Sequence, residues 1–217
     1  MRFVFVHGWG FHAGIWRDLI AHLPGEAEVS LVDLGFVAGG PEGSSDWPSD
    51  AVAIGHSLGV LWLLHRAGER ASSPATASFR ALVSIQGFDR FCPPIPLSRV
   101  AGMRRQLKRD AGATLGAFWR ACGTEAFAPP SALNIDRLDE GLGWLMDWDF
   151  RGMKGRLDCP TLALAARDDG IVPEVMSEDI WGRTNIHWSQ SGGHVLPLKH
   201  PEWCARHVLD FAHAIHP

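Results

Sequence analysis

The chain alternates short, almost continuously apolar runs with segments of helical periodicity, and this alternation is its strongest constraint on folding. Strands that are apolar on both sides are typical of a parallel sheet covered by helices on both faces. The strand-like runs are Arg2–Val6, Glu28–Asp33, Ala51–Gly55, Arg80–Ile85, Thr161–Ala166 and Asn185–Ser189. The helical patterns are Ala13–Leu23, Leu58–Arg70, Glu174–Trp181 and Pro201–Ile215. The sequence therefore predicts an α/β fold with a shortened, mainly parallel sheet of about six strands.

Two regions interrupt this alternation. Residues 35–50 are rich in Gly, Pro, Ser and Asp and are predicted to form a loop without a helix. Residues 88–157 separate the fourth and fifth strands and contain the helical patterns Leu97–Arg109, Ala113–Cys122 and Ile135–Trp148. A helical insertion at this place predicts a lid over an active site. A chain of 217 residues is predicted to form one domain, 1–217, that includes this lid.

Charge and composition argue against several classes of function. The net charge of −4 does not fit a nucleic-acid-binding protein, which is normally basic. The apolar runs are only strand-length, so no membrane span is expected. The N-terminal MRFVFVHGWG begins as a strand and does not resemble a secretory leader. Four scattered cysteines without a CxxC pair favour reduced thiols, and a cytoplasmic location is expected.

The segment Gly55-His56-Ser57-Leu58-Gly59 matches the pattern GxSxG. It follows an apolar strand-like run and precedes a helical pattern, which is the strand–turn–helix setting of a nucleophile elbow. The alternative is an ordinary turn in which Ser57 only caps the helix. The setting favours Ser57 as a catalytic nucleophile placed near the positive end of a helix.

A serine hydroxyl needs a base to remove its proton, and a nucleophile elbow is followed in the chain by an acid and then a histidine. His194 lies in a glycine-rich loop directly after the last strand-like run, where the base is expected. The acid is expected after the preceding strand, where Asp168 and Asp169 compete. Asp169 is the preferred candidate because it precedes a turn glycine, and either carboxylate could instead stabilise the loop.

Two backbone N–H groups are needed to bind the negative oxygen that forms during acyl transfer. Leu58 follows the nucleophile, and Trp9 lies in the turn His7-Gly8-Trp9-Gly10 after the first strand. We therefore predict that the N–H groups of Trp9 and Leu58 form an oxyanion hole.

Together these motifs resemble the α/β-hydrolase esterases, and in particular the pimeloyl-acyl carrier protein methyl ester esterases of biotin synthesis. The resemblance rests on HGWGF, GHSLG, DDGIVP, GGH followed by HPE, and segments of the insertion around AGM and WDFR. It implies the α/β-hydrolase fold, the triad of Ser57, Asp169 and His194, no cofactor, and an acyl ester substrate presented by an acidic carrier protein.

A basic stripe in the insertion supports an acidic partner. No carboxylate occurs between Asp89 and Asp110, and the basic residues Arg104, Arg105, Lys108 and Arg109 lie on one helical pattern. Residues three and four apart share a helix face, so the stripe can steer an acidic carrier. An ordinary solvated helix face remains the alternative.

Other functions share parts of this pattern. A general carboxylesterase, a thioesterase or an acyltransferase would use the same triad, and a catalytically silent binding protein of this fold would not need it intact. A metal site on His200, Cys204 and His207 lacks a fourth ligand. Dinucleotide binding lacks a GxGxxG sequence after the first strand.

Overall fold

The computed structural model describes residues 1–43, 47–70, 79–125, 127–153, 157 and 159–215. Its strands form one sheet in the order β2-β1-β3-β4-β5-β6, and every neighbouring pair is parallel. The strands are β1 (Arg2–Val6), β2 (Glu28–Val32), β3 (Val52–His56), β4 (Ala81–Ile85), β5 (Thr161–Ala166) and β6 (Ile186–Ser189). The predicted parallel sheet is confirmed, with each strand end within one residue of its predicted position.

The helices follow most of the predicted segments. They are α1 (Arg17–Ile20), α2 (Leu58–Arg70), α3 (Leu97–Arg109), α4 (Ala111–Ala121), α5 (Ile135–Asp147), α6 (Glu174–Trp181), α7 (Leu196–Lys199) and α8 (Pro201–Ile215). The helix predicted over Ala13–Leu23 is instead a 3₁₀ turn, Ala13–Trp16, followed by the single turn of α1. Trp16 is fully buried at the junction, and Pro24 prevents the helix from continuing. The short helix α7 was not predicted.

The order of the strands places helices on both faces of the sheet. The β1–β2 connection runs in one direction across the sheet, whereas the β3–β4 and β5–β6 connections run in the other. Because such crossovers are right-handed, α1 lies on one face and α2 and α6 on the opposite face. Helix α8 packs against α1 and therefore covers the first face. The direction reverses between β1 and β3, which is where ligands bind in open α/β sheets.

Strands β3 and β4 form the centre of the core, since every residue of both is buried. The residues that directly follow them therefore start from a rigid part of the molecule. This rigidity matters for the predicted site, because a catalytic serine after β3 would have to be held in one geometry.

The insertion between β4 and β5 contains α3, α4 and α5, and α3 packs against both of the others. The loop after β2 packs beneath this insertion: Phe36 is fully buried, and its carbonyl accepts a hydrogen bond from the N–H of Asn134. The described part of the predicted loop contains no helix. Residues 44–46 of that loop, and residues 126, 154–156 and 158 of the segment between β4 and β5, lie outside the described residues.

Among the described helices, none combines the length and the apolar character that a membrane crossing requires.

Candidate active site

Ser57 occupies a strained turn between β3 and α2. Its φ of 52° is in the left-handed region, which non-glycine residues adopt rarely and at an energetic cost. The turn is held by hydrogen bonds from Ser57 N–H to Ile85 O (3.0 Å) and from Val60 N–H to Ser57 O (3.0 Å). Gly59 permits this close packing, because a Cβ there would lie 2.1 Å from the carbonyl oxygen of Val6.

His194 and Asp169 are brought to Ser57 from two other strand ends. Nε2 of His194 lies 2.8 Å from Oγ of Ser57, and Nδ1 of His194 lies 2.8 Å from Oδ2 of Asp169. A carboxylate accepts hydrogen bonds, so Nδ1 carries the proton and Nε2 presents its lone pair to the serine hydroxyl. All three side chains are buried. The sequence-predicted serine, acid and histidine therefore form one continuous hydrogen-bonded chain.

The loop that carries His194 is fixed by its backbone. The N–H of His194 donates to the carbonyl of Cys122 at 2.9 Å, and Nε2–H of His56 donates to the carbonyl of His194 at 3.0 Å. Complete burial, with the neighbouring His194, holds the pKa of His56 well below its ordinary value, so His56 is a neutral donor. Gly193 has a φ of 56°, and a Cβ there would lie 2.5 Å from the Cys122 carbonyl oxygen.

Asp168 and Asp169 have different surroundings. Oδ1 of Asp169 accepts hydrogen bonds from the N–H groups of Ile171 (2.8 Å) and Val172 (2.9 Å), which leaves Oδ2 for His194. Asp168 is exposed, and its carboxylate instead accepts from the N–H groups of Gly192 (3.2 Å) and Gly193 (2.9 Å). Asp169 contacts the histidine, whereas Asp168 holds the glycine-rich loop.

Gln86 is a residue of this site that sequence reasoning missed. It directly follows β4, is buried, and has a φ of 54°. Its Nε2 donates to Oδ2 of Asp169 at 2.9 Å and to the carbonyl of Gly193, and its Oε1 accepts from Leu196 N–H at 3.0 Å. No pattern in Ser84-Ile85-Gln86-Gly87 marks this role, because it depends on contacts with segments more than eighty residues away.

The predicted oxyanion donors lie beside Ser57. Leu58 is the first residue of α2, and Trp9 lines the same cavity as Ser57. Within the part of the chain that the structure describes, neither backbone N–H donates a hydrogen bond to another residue. The loop around Trp9 is anchored to the insertion, since Trp9 Nε1–H donates to Leu138 O (2.8 Å) and Trp119 Nε1–H donates to Gly10 O (2.9 Å).

A cavity of about 440 Å³ leads from Ser57 between α3, α4 and α5. Its walls are mainly apolar and include Trp9, Phe88, Phe91, Leu142 and Leu145. Its polar lining besides Ser57 is Arg99, Gln106 and Thr114, of which Arg99 and Gln106 are exposed. The arrangement gives a mainly apolar channel with a cationic group, Arg99, at its exposed rim.

The four basic residues predicted to bind a carrier divide into two pairs. Arg104 makes a bidentate contact with Asp139 on α5 (2.6 and 2.9 Å), and Lys108 Nζ lies 3.5 Å from the same carboxylate. Arg105 and Arg109 are exposed and form no ion pair with another described residue. The pairing of Arg104 and Lys108 with Asp139 leaves Arg99, Arg105 and Arg109 as the exposed cations of α3 without an ion pair to another described residue.

Cys204 and His207, which the sequence analysis weighed and rejected as metal ligands with His200, have different surroundings. Cys204 is buried, whereas the ring of His207 packs against Trp203 and His187. Within the described ranges, no group of three or more His, Cys, Asp or Glu side chains could hold a metal ion.

Comparison with known proteins gives consistent results. No family model matches the chain. The pimeloyl-acyl-carrier-protein methyl ester esterase of Pectobacterium atrosepticum is 27% identical over 251 residues, covering 97% of this chain and 94% of that protein. The protein of the same name from Vibrio parahaemolyticus is 28% identical, covering 96% and 93%. An esterase structure from Exiguobacterium antarcticum superposes with a TM-score of 0.74 at 16% identity, covering 98% and 92%. The chain therefore has the α/β-hydrolase fold that its sequence predicted, and it resembles the pimeloyl-acyl-carrier-protein methyl ester esterases over nearly its whole length.

Proposed function

We propose that this protein is a serine carboxylesterase in which Ser57 is the nucleophile, His194 the general base and Asp169 the orienting acid. The observation that carries the proposal is the chain of two 2.8 Å contacts from Ser57 through His194 to Asp169. This chain ends at the carboxyl end of β3, beside the point where the strand order reverses. The names of the similar proteins independently support ester hydrolysis.

In this mechanism Nε2 of His194 takes the proton of Ser57 as Oγ attacks the ester carbonyl carbon. The N–H groups of Trp9 and Leu58 bind the oxygen that becomes negative, and each donor stabilises the transition state by about 3 kcal/mol. The C–O bond to the alcohol breaks, and the leaving alkoxide takes the proton from His194. Water then loses a proton to His194 and attacks the acyl-serine, which releases the acid and restores Ser57.

We further propose that the substrate is a methyl ester at the end of an acyl chain, with pimeloyl methyl ester as the first candidate. Methylene groups of the substrate would bind in the apolar cavity, because moving each CH₂ out of water favours binding by about 0.8 kcal/mol. Arg99 at the exposed rim suits an anionic group at the far end of the chain. The similar curated proteins are named for this ester on an acyl carrier protein.

The first experiment is hydrolysis of a short p-nitrophenyl ester series by the wild type and Ser57→Ala. We expect turnover by the wild type and a loss of at least about 10⁴-fold in kcat for the variant. Ser131→Ala, which removes the hydroxyl of an exposed serine elsewhere, is the matched control and should keep wild-type activity. Circular dichroism confirms that all three proteins are folded. Turnover that survives in Ser57→Ala would show that Ser57 is not the nucleophile.

The second experiment identifies the substrate. Methyl pimelate is offered as the free half-ester and on acyl carrier protein, together with shorter and longer dicarboxylate methyl esters. Preference for the carrier-linked seven-carbon chain in kcat/KM supports the proposed substrate. Equal rates for all chains, or transfer of the acyl group to an added alcohol in place of water, would identify a general esterase or an acyltransferase.

A further inference from the structure

The side-chain amide of Gln86 connects both partners of Ser57, and its orientation is fixed by chemistry. Nε2 faces Oδ2 of Asp169 and the carbonyl of Gly193, which can only accept hydrogen bonds. Oε1 faces the N–H of Leu196, which can only donate. The reversed amide would set oxygen against two acceptors and NH₂ against a donor, so only one orientation satisfies all three contacts.

The backbone of Gln86 adopts an energetically unfavourable conformation at this position. Its φ of 54° is a left-handed conformation that glutamine rarely adopts, and its N–H donates to Leu164 O at 2.8 Å on the neighbouring strand. Ser57 is the only other non-glycine residue with a positive φ among the described residues. Strained backbone of this kind persists where the surrounding contacts hold it in place, and it is found most often at functional sites.

Gln86 donates one of the four hydrogen bonds that the Asp169 carboxylate accepts. Oδ1 of Asp169 accepts two backbone N–H bonds, while Oδ2 accepts from both His194 and Gln86. Rotation of the carboxylate away from His194 would break all four bonds. The second donor bond of Gln86, and its bond from Leu196, fix the backbone on both sides of His194.

We propose that Gln86 is a positioning residue that holds Asp169 and the loop of His194 in a single reactive arrangement. This inference rests on the proposed function of Ser57, Asp169 and His194. Gln86 does not touch the reacting atoms, so its loss should lower the rate of acylation and leave the acyl cavity unchanged.

The kinetic test is Gln86→Met, which keeps the length of the side chain and removes the donor and the acceptor. We expect kcat on a p-nitrophenyl ester to fall by about 10- to 100-fold, the usual loss for a partner that orients a catalytic group, with KM within about twofold. The rate of Ser57 labelling by a fluorophosphonate should fall in parallel. Gln190→Met, at an exposed glutamine four residues before His194, is the matched control and should keep both rates.

A measurement on the unmodified chain gives a second test that does not depend on the folding of a variant. The sequence contains three glutamines, Gln86, Gln106 and Gln190, and the last two are exposed. In protein labelled with ¹⁵N-glutamine, we expect one pair of side-chain amide protons to exchange slowly with solvent and to shift when Ser57 is phosphonylated. A glutamine without contact to Asp169 and the His194 loop would not respond to this change at Ser57.

The outcomes separate the inference from the function on which it rests. A wild type without Ser57-dependent turnover and labelling overturns both. An active wild type with unchanged kcat in folded Gln86→Met overturns only the role of Gln86, as does a protected amide pair that does not move on phosphonylation. If Gln86→Met does not fold, the exchange and shift of the wild-type amide decide the question.

Discussion

At the scale of single residues, the structure gives different hydrogen-bond partners to two adjacent carboxylates that competed in the sequence. Asp169 is oriented by Ile171 and Val172 and contacts His194, whereas Asp168 accepts from Gly192 and Gly193. The difference arises from the direction of each side chain at the end of β5. Sequence reasoning favoured Asp169 because of the following glycine, and it left Asp168 open.

We expect Asp169→Asn to lower kcat by about 10³- to 10⁴-fold, because an amide can hold the imidazole in the wrong tautomer. Asp168→Asn keeps one acceptor for the loop and should lower kcat by less than about tenfold. Steady-state kinetics of both variants on the same p-nitrophenyl ester provide the comparison. The assignment of the acid is wrong if the larger loss belongs to Asp168→Asn.

At the scale of elements, the turn from β3 into α2 depends on a glycine that no other residue can replace. A Cβ at Gly59 would lie 2.1 Å from Val6 O, whereas Gly143 on α5 has open space around the same position. Gly59→Ala should therefore destabilise the protein by more than about 3 kcal/mol or prevent folding. Gly143→Ala, the same change in another helix, should stabilise it by about 0.5–1 kcal/mol. Thermal unfolding of both variants tests the pair, and equal effects would contradict the packing argument.

The contact between α3 and α5 gives a prediction that depends on pH. The Arg104 guanidinium holds the pKa of the Asp139 carboxyl below its ordinary value of 3.8. A lowered carboxyl pKa contributes stability that is fully present above pH 3.8 and is lost as the pH falls through the lowered value. Both side chains are partly solvated, so the pair is worth about 0.5–1 kcal/mol.

A double-mutant cycle of Arg104→Ala and Asp139→Ala measures this contribution. We expect a coupling energy of about 0.5–1 kcal/mol in urea unfolding at pH 7, and a smaller one at pH 3. Lys108 also approaches Asp139, so the cycle is repeated in a Lys108→Ala background. A coupling energy that is the same at both pH values would show that charge does not hold these helices together.

The elements show which parts of the fold a sequence determines locally. Strand ends were predicted within one residue because buried strands need apolar side chains on both faces and polar turns at both ends. The 3₁₀ turn at Ala13–Trp16 and the short helix α7 were missed, since each is set by packing around Trp16 and Leu196, which are fully buried. Gln86 was missed for the same reason: its role depends on Asp169 and Gly193, which are distant in sequence.

At the scale of the whole molecule, the sheet gathers residues from distant segments at one edge. Ser57 follows β3, Gln86 follows β4, Asp169 lies after β5 and His194 after β6. Parallel strands all end at the same edge of the sheet, and β3, β4, β5 and β6 are neighbours in that order. Residues that follow these strands along the chain therefore lie side by side at that edge. This explains why the serine, acid and histidine could be predicted from their positions after strands, while contacts between their supporting loops could not.

The distribution of charged residues over the molecule favours one face for binding of the proposed acidic carrier. The chain has a net charge of −4, so its overall charge does not attract an acidic partner, and any steering must come from a locally basic region. Helix α3 carries a local group of cations, because Arg99, Arg105 and Arg109 are exposed there and form no ion pair with another described residue. Arg99 also lines the cavity that leads to Ser57. A carrier that approaches α3 would therefore present its acyl chain at the open end of that cavity.

Arg105→Glu tests this orientation. We expect kcat/KM for carrier-linked methyl pimelate to fall by about tenfold at low salt, with little change for the free half-ester, because steering acts on the encounter with a charged partner. The effect should shrink as ionic strength rises, since salt screens exposed charges. Arg206→Glu makes the same charge change at an exposed position on α8, which packs against α1 and β5, and should have little effect. Equal losses in the two variants would mean that net charge alone governs the encounter, and α3 would then have no special role in receiving the carrier.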